Sequence, residues 1–69
     1  MNPNGVVLTP RQRQVLQLAA DGRTNRWIRK HLRVGAGTTE RTLARAMRRL
    51  GARNRPQAVA IGLRLGLIR

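Results

Sequence analysis

Residues 35–50 read GAGTTERTLARAMRRL, a turn followed by one amphipathic helix. Two glycines within three residues, Gly35 and Gly37, free the backbone for the sharp reversal that joins two helices at a large angle. The residues on the inward side of the following helix are spaced by four, three and four positions. They are Thr39, Leu43, Ala46 and Leu50. This spacing predicts a helix over Thr38 to Leu50 with one buried face.

The opposite side of this helix is basic. Arg41, Arg45 and Arg48 also follow helical spacing, and the small Ala44 lies between them. Such a stripe can be an ordinary solvated face, but unbalanced cations repel one another unless an anion lies opposite. A small residue also lets the backbone approach a base edge closely. The pattern therefore favours a binding face on the helix that follows the turn.

Two helices are predicted before this segment. Thr9 and Pro10 are typical of a helix start, because the hydroxyl satisfies free backbone amides and proline loses no hydrogen bond at the first position. Gly22 suits the end of that helix. Thr24 begins a second, shorter helix with Ile28 on its apolar face. The predicted ranges are Pro10 to Ala20 and Asn25 to Leu32.

A fourth helix is predicted from Asn54-Arg55-Pro56 to a stop at Gly66. The larger apolar residues of this helix are predicted to face the core. An adjoining set of small and apolar residues is predicted to form a contact between two copies, since small residues let helices pack closely. The core set is Val59, Leu63 and Leu67. The dimer set is Ala58, Gly62 and Leu65.

The chain shows no internal repeat and no strand-like alternation. We therefore expect an all-α fold of four helices joined by short turns. The expected boundaries are a flexible N-terminal arm over residues 1–7, which contains proline, asparagine and glycine, and one helix-turn-helix domain over residues 8–69.

The charge balance limits the possible partners. The chain has 15 Lys and Arg residues against two acids, a net charge of +13, and all of the basic residues except Lys30 are arginine. Phosphate charge on DNA matches this excess best, and guanidinium groups bind phosphate or guanine through two hydrogen bonds. GC-rich codon usage also raises arginine content, but the net charge itself predicts a polyanionic partner.

Other classes of function find little support in the residues. With no cysteine and one histidine, His31, we expect no metal site and no cofactor, and we assign His31 no role. Asp21 and Glu40 lie on different elements and no Gly-rich phosphate loop is present, so we expect no enzyme. No apolar run is long enough to span a membrane, which predicts a cytoplasmic, nucleoid-associated protein.

A family pattern runs along nearly the whole chain, from Leu8 to Ile68. Its residues are Leu8-Thr9-Pro10-Arg11, Val15-Leu16, Leu18-Ala19, Gly22, Asn25, Ile28, Thr38, Leu50-Gly51, Arg53-Asn54-Arg55, Ala58-Val59 and Gly66-Leu67-Ile68. The sequence thereby resembles the LuxR/FixJ-type, or GerE-like, helix-turn-helix DNA-binding domains, with no insertion. Relatives usually carry an N-terminal receiver or ligand-binding domain, for which the seven residues before Leu8 leave no space, so we expect a stand-alone domain.

The resemblance implies that the third helix enters the major groove, that the second braces it across the backbone and that the fourth forms the dimer contact. It also implies roles for individual residues. The implied base contacts are Glu40, Arg41, Ala44 and Arg45. The implied phosphate contacts are Thr24, Asn25, Arg26, Thr38, Thr39, Arg48 and Arg49.

This chain departs from the family pattern at several interface positions. Glu40, Thr39 and Thr42 stand where the resemblance leads us to expect Lys, Val and His. Gly35 stands where we expect a Ser that caps the recognition helix. The target sequence therefore cannot be transferred from relatives. Glu40 either accepts from a cytosine amino group, pairs with a neighbouring arginine, or is favoured in the first turn by the helix dipole.

The sequence thus predicts a sequence-specific, DNA-binding transcriptional regulator that binds double-stranded DNA as a homodimer. One alternative is a protein-interaction adaptor that acts on RNA polymerase or another regulator. Its anchors would be the fourth helix and Trp27, which otherwise covers the edge of the core beside Ile28. The other alternative is a non-specific nucleic-acid-binding protein, for which the net charge alone suffices.

Overall fold

Four α-helices account for most of residues 5–69, the part of the chain that the computed structural model describes. They are α1 (Pro10–Ala20), α2 (Asn25–Leu32), α3 (Thr38–Leu50) and α4 (Arg55–Arg64). The predicted ranges of the first three are confirmed, and α4 ends shortly before Gly66, whose φ of +71° suits a helix stop. Residues 5–69 contain no strand, which confirms the all-α class.

The starts of the helices follow the capping residues in the sequence. Thr9 and Gln12 form a reciprocal capping box on α1, with N–H···O distances of 3.0 and 3.1 Å. The side chains of Thr24 and Asn54 accept backbone hydrogen bonds at the starts of α2 and α4. α3 is the exception, because its N-cap is Gly37 and no side chain caps it.

One hydrophobic core joins the four helices, and α3 packs against each of the other three. All four residues predicted for the inner face of α3 are buried. The segments before α1 and after α4 each contribute one apolar residue that closes the core at its ends. The buried cluster is Leu8, Val15, Leu16, Ile28, Leu43, Ala46, Leu50, Ala58 and Ile68.

The packing of the domain extends before the predicted boundary at Leu8. Val6 packs against the core. The carbonyl oxygen of Val7 accepts hydrogen bonds from Nε and Nη2 of Arg49, at 3.3 and 3.1 Å. The rest of the predicted N-terminal arm, residues 1–4, lies outside the described residues, and its flexibility stays a prediction. Within residues 5–69, no helix is long and apolar enough to cross a membrane.

α4 buries a different face from the one predicted. Ala58 and Gly62 are buried, whereas Leu63 is 47% exposed. A Cβ on Gly62 would lie 3.0 Å from Cδ2 of Leu16 and 3.1 Å from Cγ1 of Ile68, so the glycine lets α4 approach α1 and the C-terminal segment closely. The predicted core position of Leu63 is therefore wrong, and so is the predicted dimer contact of Ala58 and Gly62.

The remaining residues of the two sets on α4 are intermediate in exposure. Leu65, assigned to the dimer set, packs against the core of its own chain. Val59 and Leu67, assigned to the core set, are partly buried against the same core. Small residues do permit the close helix approach that we expected, but the partner is α1 of the same chain rather than a second copy.

One polar side chain is enclosed in the core. Thr39 is 1% exposed, and its hydroxyl oxygen has no hydrogen-bond partner. A buried hydroxyl without a partner costs about 1–3 kcal/mol of folding free energy. Because this hydroxyl is enclosed, it is not available to a DNA phosphate, and the implied phosphate contact of Thr39 stays a prediction that only its backbone could fulfil.

We predict that Thr39→Val raises the free energy of unfolding by about 1 kcal/mol or more, since the isosteric side chain removes the unpartnered hydroxyl. In a domain of this size that corresponds to a rise in Tm of about 4–8 °C per kcal/mol. Thr24→Val is the matched control. The same exchange there removes a cap and should lower stability by about 0.5–2 kcal/mol. Thermal and urea unfolding measure both, and a less stable Thr39→Val would contradict the account.

Candidate nucleic-acid interface

The outer face of α3 gathers the predicted base-contact residues on one surface. Glu40, Arg41, Ala44 and Arg45 are all exposed, and Arg48 extends the surface by one turn. The opposite side of the same helix is buried. The surface is therefore a cationic ridge with one acid at its front and one small residue at its centre. The contacts of these residues with bases stay predictions.

The start of α3 shapes the position of Arg41. Its Nη2 donates to Oγ1 of Thr38 at 3.3 Å, so the guanidinium folds back toward the start of the helix. A Cβ on Gly37 would lie 2.9 Å from Nη1 of Arg41. Gly37, with a φ of +79°, thus provides both the left-handed turn and the room for this guanidinium. The predicted absence of a capping side chain is confirmed, with Gly37 rather than Gly35 as the N-cap.

Glu40 lies in the first turn of α3, where a carboxylate interacts favourably with the positive end of the helix dipole. Its carboxylate forms neither an ion pair nor a hydrogen bond with any of the described residues. The pairing with a neighbouring arginine that we considered is therefore not found. Its carboxylate remains available as a hydrogen-bond acceptor at the front of the ridge.

The first turn of α2 carries three of the predicted phosphate contacts. Arg26 is exposed, while Thr24 uses its hydroxyl to accept from the backbone N–H of Trp27 at 3.1 Å. Asn25 is half-buried, and its Oδ1 accepts from Nη1 of Arg55 at 2.8 Å. Free backbone N–H groups at a helix start favour anions. The phosphate contacts themselves stay predictions.

The two arginines at the end of α3 differ in their surroundings. Arg48 is exposed, and its guanidinium forms no hydrogen bond with any described residue. Arg49 is also exposed, but two of its donors already bind the carbonyl oxygen of Val7. Arg48 is therefore the freer of the two for an external anion. Part of the Arg49 fork has an intramolecular partner, although its charge remains at the surface.

Trp27 lies in a surface stack rather than at the core edge. Its ring is stacked on that of His31, with centroids 4.6 Å apart and planes 15° apart. The guanidinium carbon of Arg23 lies 4.4 Å from the ring centroid of Trp27. From the sequence we assigned His31 no role, and we did not predict that it would share a stack with Arg23. The sequence signal for this stack was the spacing of Arg23, Trp27 and His31, each four residues after the one before.

The described residues contain no cluster of three or more His, Cys, Asp or Glu side chains that could hold a metal ion. The exposed side chains of α3 and of the first turn of α2 supply mainly hydrogen-bond donors and positive charge.

Comparisons with known proteins agree with this architecture. The family described as bacterial regulatory proteins, luxR family, matches residues 6–61. The solved structure of the transcription factor GerE superposes with a TM-score of 0.85 at 29% sequence identity, covering 90% of this chain and 92% of that one. The spore germination protein GerE of Bacillus subtilis is 35% identical over 60 residues, which cover 87% of this chain and 81% of that protein.

Two longer proteins are also similar. The transcriptional activator protein BjaR1 of Bradyrhizobium diazoefficiens is 43% identical over 61 residues, which are 88% of this chain and 25% of that protein. The quorum sensing-dependent transcriptional regulator RpaR of Rhodopseudomonas palustris is 47% identical over 62 residues, which are 90% of this chain and 26% of that protein. This chain thus spans about a quarter of the length of each. The match over residues 6–61, together with the GerE-like fold, shows that the chain belongs to the luxR family of bacterial regulatory proteins.

Proposed function

We propose that this chain binds double-stranded DNA in a sequence-specific manner as part of a transcriptional regulator, with the outer face of α3 in the major groove. The observation that carries the proposal is the exposed ridge of Arg41, Ala44, Arg45 and Arg48 on a helix whose other side is fixed in the core. BjaR1 and RpaR, by their names a transcriptional activator and a transcriptional regulator, share this domain at 43% and 47% identity.

Base reading is assigned to the front and middle of the ridge. Arginine binds the O6 and N7 atoms of guanine through two hydrogen bonds, which suits Arg41 and Arg45. Glu40 suits a cytosine, whose amino group is a donor, because its carboxylate has no partner among the described residues. Ala44, between the two arginines, lets the backbone of α3 lie close to the base edges.

Phosphate binding is assigned to the sides of the ridge. The assigned groups are the exposed Arg26 with the first backbone N–H groups of α2, and the exposed Arg48 near the end of α3. Contacts with phosphates fix the orientation of a protein on the duplex but carry no sequence information. This division of roles separates the specific from the non-specific part of the affinity.

A dimer contact is assigned to the outer face of α4. Leu63 is 47% exposed there, and Val59 and Ala60 beside it are only partly buried. In a two-fold dimer both copies bury the same self-complementary face, and Leu63 is the exposed large apolar residue that α4 offers to one. Two copies would then bind two half-sites of a two-fold symmetric target. Contacts with RNA polymerase and a nucleoid-associated location stay predictions.

We expect Arg45→Ala to reduce affinity for the preferred site by a factor corresponding to about 1–3 kcal/mol, with little effect on random DNA, because the lost bonds reach base edges. Arg26→Ala is the matched control. It should lower both affinities about equally and reduce the slope of log K against log salt by about one. The preferred site comes from selection of bound sequences out of random DNA at physiological salt, and fluorescence anisotropy measures each affinity.

Two outcomes would contradict specific reading. Selection that yields no common motif would indicate a protein that binds through charge alone. Equal losses for Arg45→Ala on the selected and the random duplex would place Arg45 on phosphate. Either result would favour the non-specific alternative, for which the net charge of +13 suffices.

We predict that Leu63→Gln abolishes cooperative binding to DNA with two half-sites while leaving affinity for a single half-site within about twofold, since the change is neutral in charge and lies on an exposed position. Val7→Gln is the control, because Val7 is 63% exposed and lies off α4. Sedimentation of the complexes and titration of both DNAs measure the effect. Unchanged cooperativity in Leu63→Gln would remove α4 as the dimer contact.

A further inference from the structure

Arg55, the first residue of α4, bridges to the start of α2. Its Nη1 donates to Oδ1 of Asn25 at 2.8 Å, and its Nη2 donates to the carbonyl oxygen of Arg23. No Cα atom of α2 comes within 8 Å of a Cα atom of α4. The half-buried guanidinium therefore links two helices whose backbones do not touch.

This bridge sets the orientation of the Asn25 amide. A guanidinium has donors only, so the amide atom that faces Arg55 must be the acceptor Oδ1. The Nδ2 group then points away from Arg55, and none of the described residues accepts a hydrogen bond from it. Both of its N–H donors remain available at the first turn of α2, beside Thr24 and the exposed Arg26.

The same guanidinium also fixes the main chain before α2. Arg23 precedes Thr24, whose hydroxyl caps α2, so a hydrogen bond to the Arg23 carbonyl oxygen restrains the entry into the helix. Two acceptors are thus held by one planar fork. A lysine could keep the positive charge at this position but could not reproduce the paired geometry.

We propose that Arg55 is a positioning residue of the DNA interface: it orients the amide of Asn25 so that Nδ2 donates to a backbone phosphate. The inference rests on the proposed function, since it needs the first turn of α2 to lie along the DNA backbone. The role assigned to Arg55 is positioning rather than phosphate binding, because its Nη1 and Nη2 each donate a hydrogen bond within the domain, to Asn25 and to Arg23.

A double-mutant cycle tests the proposal. Arg55→Lys should weaken binding to the selected DNA about tenfold, leave the salt slope unchanged because the charge is kept, and weaken binding by less than about twofold when Asn25→Ala is already present. Arg53→Lys is the matched control. Arg53 lies two residues before Arg55 and is exposed. Arg53→Lys should leave the affinity for the selected DNA within about twofold, both in the wild-type protein and in Asn25→Ala.

The assay also separates positioning from other roles. All variants are compared at a temperature at which circular dichroism shows them folded. The side-chain NH2 signals of Asn25 in 15N NMR spectra should shift in Arg55→Lys and not in Arg53→Lys. If Arg55→Lys lowers Tm but leaves the affinity of the folded protein unchanged, the role is structural only and the inference is overturned.

An equal loss in both backgrounds would likewise overturn it, because Arg55 would then act independently of Asn25. These failures differ from a failure of the proposed function. In them the wild-type protein still binds its selected DNA, whereas a wild-type protein that binds no DNA would overturn both proposals.

Discussion

Burial of the inner face of α3 is the constraint on which the rest of the molecule depends. Leu43, Ala46 and Leu50 lie against the other three helices, and this packing fixes the rotation of α3 about its axis. A rotation by one residue, about 100°, would turn either Glu40 or Arg45 and Arg49 toward the core, depending on its direction, and an unpaired charge there is very costly. The direction of the cationic ridge therefore follows from core packing, without any contribution from the ridge itself.

Some guanidinium groups of the chain have partners within the domain, although each keeps its positive charge. The guanidinium of Arg49 donates to the carbonyl oxygen of Val7, 42 positions away in sequence, and that of Arg55 donates to the amide oxygen of Asn25, 30 positions away. The guanidinium of Arg23 lies over the ring of Trp27. These contacts use the planar, multi-donor geometry that lysine lacks. Codon usage alone does not explain such arginines, because each has a definite structural partner.

Local signals predicted most of the fold, and tertiary contacts account for the failures. Caps and periodicity gave the ranges of α1, α2 and α3, because both depend on neighbouring residues. The buried face of α4 was mispredicted because the pattern favours large residues, whereas contact with Leu16 selected the small Ala58 and Gly62. Periodicity placed Thr39 on the inner face of α3, and its burial confirms that position. The bridge from Arg55 to Asn25 has no sequence signal, since it joins two helices whose backbones do not touch.

The two sides of the proposed interface, α2 and α3, pack directly against each other and are linked a second time through α4. α3 is held by the core, while the entry to α2 is held by Arg55 from the start of α4. α4 packs against both α1 and α3, so the residue that restrains α2 is itself fixed by the packing that fixes the ridge. Precise reading of bases requires that phosphate contacts hold the register. Under our proposal, Arg55 adds one restraint to that register besides the packing of α2 on α1 and α3, and the outer face of the same helix, α4, carries the proposed dimer contact. The two proposals together couple half-site spacing and phosphate register through one short helix.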